Sequence, residues 1–241
     1  MTTIEIISSQ IKHMKSNIFE YFYISLPYII VTFIIYLLDY NYIPDNAPIT
    51  YFFVLIQILL GYLVAVNIHR LVISNENKNY FSFGNRFKLT LSYLFYTLFI
   101  WIIVIVPFFL LLVFGEIMID TDPSGSLYII SIVGVILFGL ISVVGLFITY
   151  PFFALNLPLV AIGEKVVFFR MWKLSKGFRL TIFFQFLIII LFGAFIIYLI
   201  ERAPFYYFFY LFIQPLVDMF CLTLTISCLS KTFLLWREKI S

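Results

Sequence analysis

Asp218 is the one acid set deep inside an apolar run of this sequence. A carboxylate in lipid is costly, so such a residue faces other helices or water and raises a functional question. Gln214, Asp218, Cys221, Thr225 and Cys228 follow at spacings of four, three, four and three, which is one face of a helix. A polar stripe holding one acid could pass a proton or a small cation along an interior path. It could equally be a hydrogen-bonded joint between helices, with Gln57, Asn67 or Gln185 as partners. No Lys or Arg lies inside the apolar runs to serve as an obvious counter-ion.

A second group of residues suits anionic headgroups. His69 and Arg70 close one apolar run, where a cation either meets a phosphate or snorkels as an anchor. Lys165, Arg170, Lys173, Lys176 and Arg179 are grouped with Trp172. Cations beside a bilayer are drawn to anionic lipid, at about 1 kcal/mol each near the surface. The expected partners are therefore the lipid bilayer, anionic lipid headgroups and other membrane proteins. An ordinary positively charged loop would give segment 165–179 the same charge.

Other chemistries lack their residues. His13 and His69 have no acid at ligand spacing, so no metal site is expected. The sequence contains no P-loop, G-x-S-x-G, H-E-x-x-H or C-x-x-C pattern, so no cofactor and no enzymatic activity are expected. Cys221 and Cys228 lie two helical turns apart, roughly 10 Å, beyond the reach of a disulfide within one helix. The cations form no separate basic domain, which argues against nucleic acid as a partner.

The elements that position these residues follow from composition and charge. Of the 241 residues, 63% are hydrophobic and only 11% charged, against about 25% charged in a soluble domain. Six apolar runs alternate with short polar stretches, at about 22–40, 50–69, 88–114, 127–150, 180–200 and 206–230. Of the 15 Lys and Arg, all but Arg202 fall in alternate stretches. The intervening stretches hold Asp39, Asp45, Glu116, Asp120, Asp122 and Glu201. Retained loops carry the Lys/Arg excess. The pattern predicts an all-α polytopic membrane protein with six transmembrane helices and both termini cytoplasmic. No room remains for a separate soluble domain, so 1–241 reads as one membrane domain.

Residues 1–20 read as an amphipathic helix rather than a span. Ile4, Ile7, Ile11, Met14 and Ile18 recur at helical spacing, the pattern of a helix lying in the interface. They lack the plan of a cleaved signal, so the first span is expected to persist as an anchor. Pro107 is a kink candidate in the third span. Gly134, Gly139 and Gly145 thin the fourth and would permit close helix approach. Pro151, Asn156 and Pro158 break up 151–163, read as a bent extension through the inner interface. Val167, Met171, Leu174 and Phe178 mark 164–178 as a second interfacial helix. Phe83-Gly84-Asn85-Arg86 and Lys176-Gly177-Phe178-Arg179, each leading into Leu-Thr, hint at a parallel repeat of helical hairpins.

Two segments carry a resemblance. Leu157-Pro158-Leu159-Val160-Ala161-Ile162-Gly163 and Met171-Trp172-Lys173-Leu174-Ser175-Lys176-Gly177 resemble the "LPAIAVG…SWRLTRG" pattern of YciC-like bacterial inner-membrane proteins. The pattern also occurs in the membrane domain attached to some glycerophosphodiester phosphodiesterases. His69-Arg70-Leu71 and Phe83-Gly84-Asn85-Arg86 are similar to an "HR…FGRRE" pattern in the same group. Phe152 stands where the family often has Arg. The resemblance implies a six-span inner-membrane protein of unknown activity; with no phosphodiesterase domain in the sequence, that activity is not carried over. The expected function is therefore non-enzymatic, in envelope organisation or as a partner in a membrane complex. The alternative is a small transporter or channel with a path lined by Asp218.

Overall fold

A computed structural model of the chain describes residues 1–40, 48–74, 83–121, 125–145, 150–166, 175–202 and 206–239. Among them there are helices and turns and no strand. With no water to receive backbone N–H and C=O groups, a chain this apolar satisfies them within helices. The helices are α1 (Thr3–Ser16), α2 (Ile18–Tyr40), α3 (Pro48–Ser74), α4 (Phe83–Asp120) and α5 (Ser126–Val144). They are followed by the short α6 (Tyr150–Ala154) and α7 (Leu157–Ile162), then α8 (Arg179–Glu201) and α9 (Tyr206–Glu238). Six of them, α2, α3, α4, α5, α8 and α9, are long and apolar enough to cross a membrane.

Helix α9 is the central post. It packs against α8, α3, α2, α1 and α7. Its 33 residues extend about 50 Å, well beyond a hydrocarbon core of about 30 Å. The extra length carries Phe233, Trp236 and Arg237 past the apolar segment. Phe233 is fully buried and Trp236 nearly so, so this overhang is packed rather than free.

Helix α1 begins on a capping box. The Glu5 N–H donates to Thr2 Oγ1 (3.3 Å), and the Thr2 N–H donates to Glu5 Oε2 (2.7 Å), satisfying two end donors. It packs on α9 and α8. The inward face is Ile6, Gln10 and Met14, turned from the stripe expected from the sequence. Ile4 and Ile11 stay 72% and 43% exposed. The apolar residues thus serve two neighbours: one quadrant meets the bundle and the adjacent one is left for lipid.

Helices α4 and α5 form a hairpin that stands to one side, with α5 packing chiefly on α4. Leu127, Ile130, Val133, Leu137 and Leu140 of α5 are all exposed, as expected of a face that meets lipid. Helix α4 runs unbroken through Pro107. Of Gly134, Gly139 and Gly145, only Gly134 sits against a neighbour closely: a Cβ there would run into the Phe114 ring. Nothing lies within 4 Å of the equivalent point on Gly145.

The stretch after α5 folds inward. Helices α6 and α7 are separated at Leu155 and Asn156, both fully buried. Pro158 opens α7, where a missing N–H costs nothing. Gly163 closes it in the left-handed conformation at φ 81°. The Gly163 N–H donates to the Val160 carbonyl and the Glu164 N–H to the Leu159 carbonyl. This satisfies the last carbonyls of α7 and turns the chain sharply. Helix α7 packs on α3 and α4. Of the second interfacial helix expected over 164–178, residues 164–166 are irregular and Ser175–Gly177 form a 3₁₀ turn. Residues 167–174 lie outside the described residues.

Candidate functional site

The polar residues of α9 that bind across helices are mostly not those of the stripe. Ser227, Ser230 and Thr232 are fully buried and each serves a different neighbour. The Tyr21 hydroxyl of α2 lies 2.9 Å from Ser227 Oγ and 3.1 Å from His13 Nδ1 of α1. Ser230 Oγ lies 2.7 Å from His69 Nδ1 of α3. Gln185 Nε2 of α8 donates to Thr232 Oγ1 at 3.0 Å. Hydroxyls and amides join helices in this way where no hydrophobic drive exists between them. The sequence signal is the run Thr225-Ile226-Ser227-Cys228-Leu229-Ser230-Lys231-Thr232, whose hydroxyl-bearing residues point in several directions around the helix.

His69 is the clearest departure from expectation. Beside Arg70 at the end of an apolar run, it reads in sequence as an interfacial anchor or headgroup contact. Its side chain is 0% exposed, so no headgroup can reach it. Nδ1 faces Ser230 and Nε2 lies 3.0 Å from the Tyr93 hydroxyl of α4. Ser230 sends its own proton to the Ile226 carbonyl (2.9 Å), so the network assigns the proton to Nδ1 and makes Tyr93 the donor to Nε2. One imidazole thus joins three helices. Position 69 points away from the side taken by its neighbour, into the bundle. Two residues before His69 on α3, Asn67 Oδ1 accepts from Arg86 Nη1 of α4 at 2.8 Å, and Arg86 is itself buried.

The stripe of α9 faces a seam between helices. The Tyr36 hydroxyl of α2 donates to Asp218 Oδ2 at 2.6 Å. Gln214 Nε2, from the same helix, donates to Asp218 Oδ1 at 3.2 Å. Cys221 packs over Gly193 of α8, where a Cβ would lie 3.1 Å from Sγ. Thr225 returns its hydroxyl proton to the Cys221 carbonyl at 2.7 Å. The three partners open to Asp218 in the sequence are engaged with other residues: Gln57 with Thr32, Asn67 with Arg86 and Gln185 with Thr232. Tyr36 is not among them. A tyrosine in an aromatic-rich span gives no sign in sequence of which acid it faces.

At the basic end of the bundle, His13 is held below its ordinary pKa of 6.5, first by burial and then by the nearby charge of Lys231. Glu164 pairs with Arg237 at 3.3 Å, linking the α7 turn to the end of α9. Both partners are about half exposed, so the pair contributes little. Lys239 sits over the Phe178 ring, 4.8 Å from its centroid. Among the expected headgroup contacts, Lys165 is exposed and Arg179 half-buried, its Nε donating to Ser175 Oγ at 3.2 Å. Arg170, Trp172 and Lys173 lie outside the described residues, as does the Lys176 side chain.

Clefts interrupt this packing, and two of them are lined by the described residues. The first, about 360 Å³, lies between α2, α3, α4, α7 and α9 and is walled by Tyr28, Gly61, Tyr62, Tyr93, Thr97 and Trp101 among others. The second, about 620 Å³, opens between the end of α3, the start of α4 and the turn after α7. It brings Arg70 and Lys88 to one space, with Leu89, Ser92, Tyr96 and Val160. No group of three His, Cys, Asp or Glu able to hold a metal ion occurs among the described residues. Set against protein families, curated proteins and solved structures, the chain matches none of them, so the functional reading rests on its own residues and their geometry.

Proposed function

We propose that this chain is a non-enzymatic, multi-pass protein of the bacterial inner membrane, with both termini cytoplasmic, that organises membrane components as a partner rather than passing solutes. The observation that carries the reading is the way many of its buried polar groups are used. Tyr36–Asp218–Gln214, Tyr93–His69–Ser230, Tyr21–Ser227, Gln57–Thr32, Asn67–Arg86 and Gln185–Thr232 are all pairings of side chains, and each set joins different helices. A transport path needs polar groups that converge on a shared lumen and exchange partners as a solute passes. Groups committed to helix joints supply rigidity instead.

Membership of the YciC-like group is part of the proposal. Its support is that both landmarks of the Leu157–Gly163 segment have structural roles, Pro158 starting α7 and Gly163 ending it. The placement of the basic end in the cytoplasm is supported by the Lys/Arg distribution.

The test is Asp218→Asn in proteoliposomes. The amide oxygen can still accept from Tyr36, so the variant keeps the joint. On this reading wild type and variant show the same background leak of protons and small cations. A wild-type flux that Asp218→Asn abolishes, with normal folding, would refute it and install the Asp218-lined path in its place.

A further inference from the structure

We propose that the cleft between α3, α4 and the α7 turn is a binding site for the phosphate of an anionic glycerophospholipid headgroup, held by Arg70 and Lys88. The two cations stand 18 positions apart on different helices, yet both line one space of about 620 Å³. A phosphate diester carries one negative charge and accepts hydrogen bonds from all sides. Two cations facing a common space suit it, the guanidinium by its fork of donors and the ammonium as a point charge.

The walls of the cleft favour a lipid over a free anion. Lys88, Ser92 and Tyr96 follow at intervals of four on α4, so they share a face that descends about 12 Å along the helix. The charged residue is at the top of that face and the phenol at its foot. The apolar Leu89, Val160 and Val166 also line it, together with Gly163 and Glu164 of the α7 turn. An inorganic anion gains nothing from these apolar side chains, whereas the glycerol and first acyl carbons of a phospholipid do. Ser92 returns its proton to the Lys88 carbonyl at 3.0 Å, leaving the two cations to provide the recognition.

The site is built by parts that cannot easily move. The left-handed Gly163 fixes the turn that forms the far lip, and a Cβ on it would lie 3.5 Å from Leu89 Cδ2. Arg70 follows His69, whose imidazole is clamped by Ser230 and Tyr93, so the end of α3 is held in register. Glu164, the one acid among the described residues of the rim, is drawn to Arg237 at 3.3 Å. This site depends on the proposed function only for the side of the membrane on which it opens.

The experiment uses the full chain in nanodiscs and native mass spectrometry, comparing phosphatidylglycerol with phosphatidylcholine. Three variants are compared: Arg70→Gln/Lys88→Gln, Lys88→Gln alone, and Lys12→Gln/Lys15→Gln, which removes the same charge from α1. The double cleft variant is expected to lose preference for phosphatidylglycerol by roughly 30-fold and Lys88→Gln by about fivefold, from the value of a cation near anionic lipid. The α1 variant removes the same charge from outside this cleft, so it is expected to lose clearly less preference than the double cleft variant. Lys88 is exposed, so its single variant remains informative if the double variant fails to fold. Equal losses in the cleft and α1 variants, or none, would overturn the proposal. So would displacement of phosphatidylglycerol by millimolar inorganic phosphate, which would assign the site to the free anion. Solute flux through Asp218 would defeat the function proposed above and leave this site untouched; a failure of lipid preference would do the reverse.

Discussion

At the scale of single residues, the chemistry of this chain turns on which polar side chain meets which. His69 illustrates it. Two hydrogen bonds from one imidazole link α3 to α9 and α4. Interhelical hydrogen bonds in membranes average about 0.6 kcal/mol and reach about 1.7. His69→Phe keeps a ring of similar volume and removes both, so it should destabilise the folded protein by about 1–3 kcal/mol. A double-mutant cycle with Ser230→Ala should return a coupling of several tenths of a kcal/mol or more. Zero coupling in detergent unfolding would mean that the imidazole and the Ser230 hydroxyl do not meet. Spacing alone places Asp218, Gln214 and Cys221 on one face of α9. It could not show that the partner of Asp218 is Tyr36, because partner choice is set by the docking of two helices 182 positions apart in sequence. Lys88 gives no signal for a related reason: it becomes chemically interesting only when α3 and α4 bring it to Arg70.

At the scale of elements, close approach between helices depends on small residues at the right turn. Gly134 admits the Phe114 ring, which also stacks on Phe138 at 5.4 Å between centroids. A methyl group at 134 would intrude on ring atoms that cannot simply swing aside. Gly134→Ala should therefore destabilise the α4–α5 hairpin by about 1–3 kcal/mol. Gly139→Ala should be nearly neutral, since its Cβ would rest 3.8 Å from Leu111 Cδ1. Thermal unfolding in detergent that ranks the two variants the other way would reject this packing. The six long apolar helices were legible in the sequence because hydrophobic length is a local property. The break at 151–163 was legible from its prolines, but its burial was not. A short apolar run reads the same whether it skirts a bilayer or plugs a bundle.

At the scale of the whole molecule, charge and packing give concordant outlines. The bundle has a basic end, where α1, the end of α3, the start of α4, the α7 turn and the end of α9 meet. On the proposed topology, reporters fused after Ser16 and after Lys239 should both be active in the cytoplasm. One inserted at Gly125 should be active on the opposite face. A reporter at Gly125 that is active in the cytoplasm would overturn the orientation drawn from the Lys/Arg bias.

The central position of α9 has a consequence for biogenesis. This helix emerges from the ribosome after every helix that it joins. Until it arrives, Tyr21, Tyr36, His69 and Gln185 have no α9 partner to receive them. Helices α2, α3, α4 and α7 can already meet through Gln57–Thr32, His69–Tyr93 and Arg86–Asn67. The last helix to emerge therefore completes a partly assembled bundle, and the polar side chains waiting for it stay exposed in the bilayer until it enters.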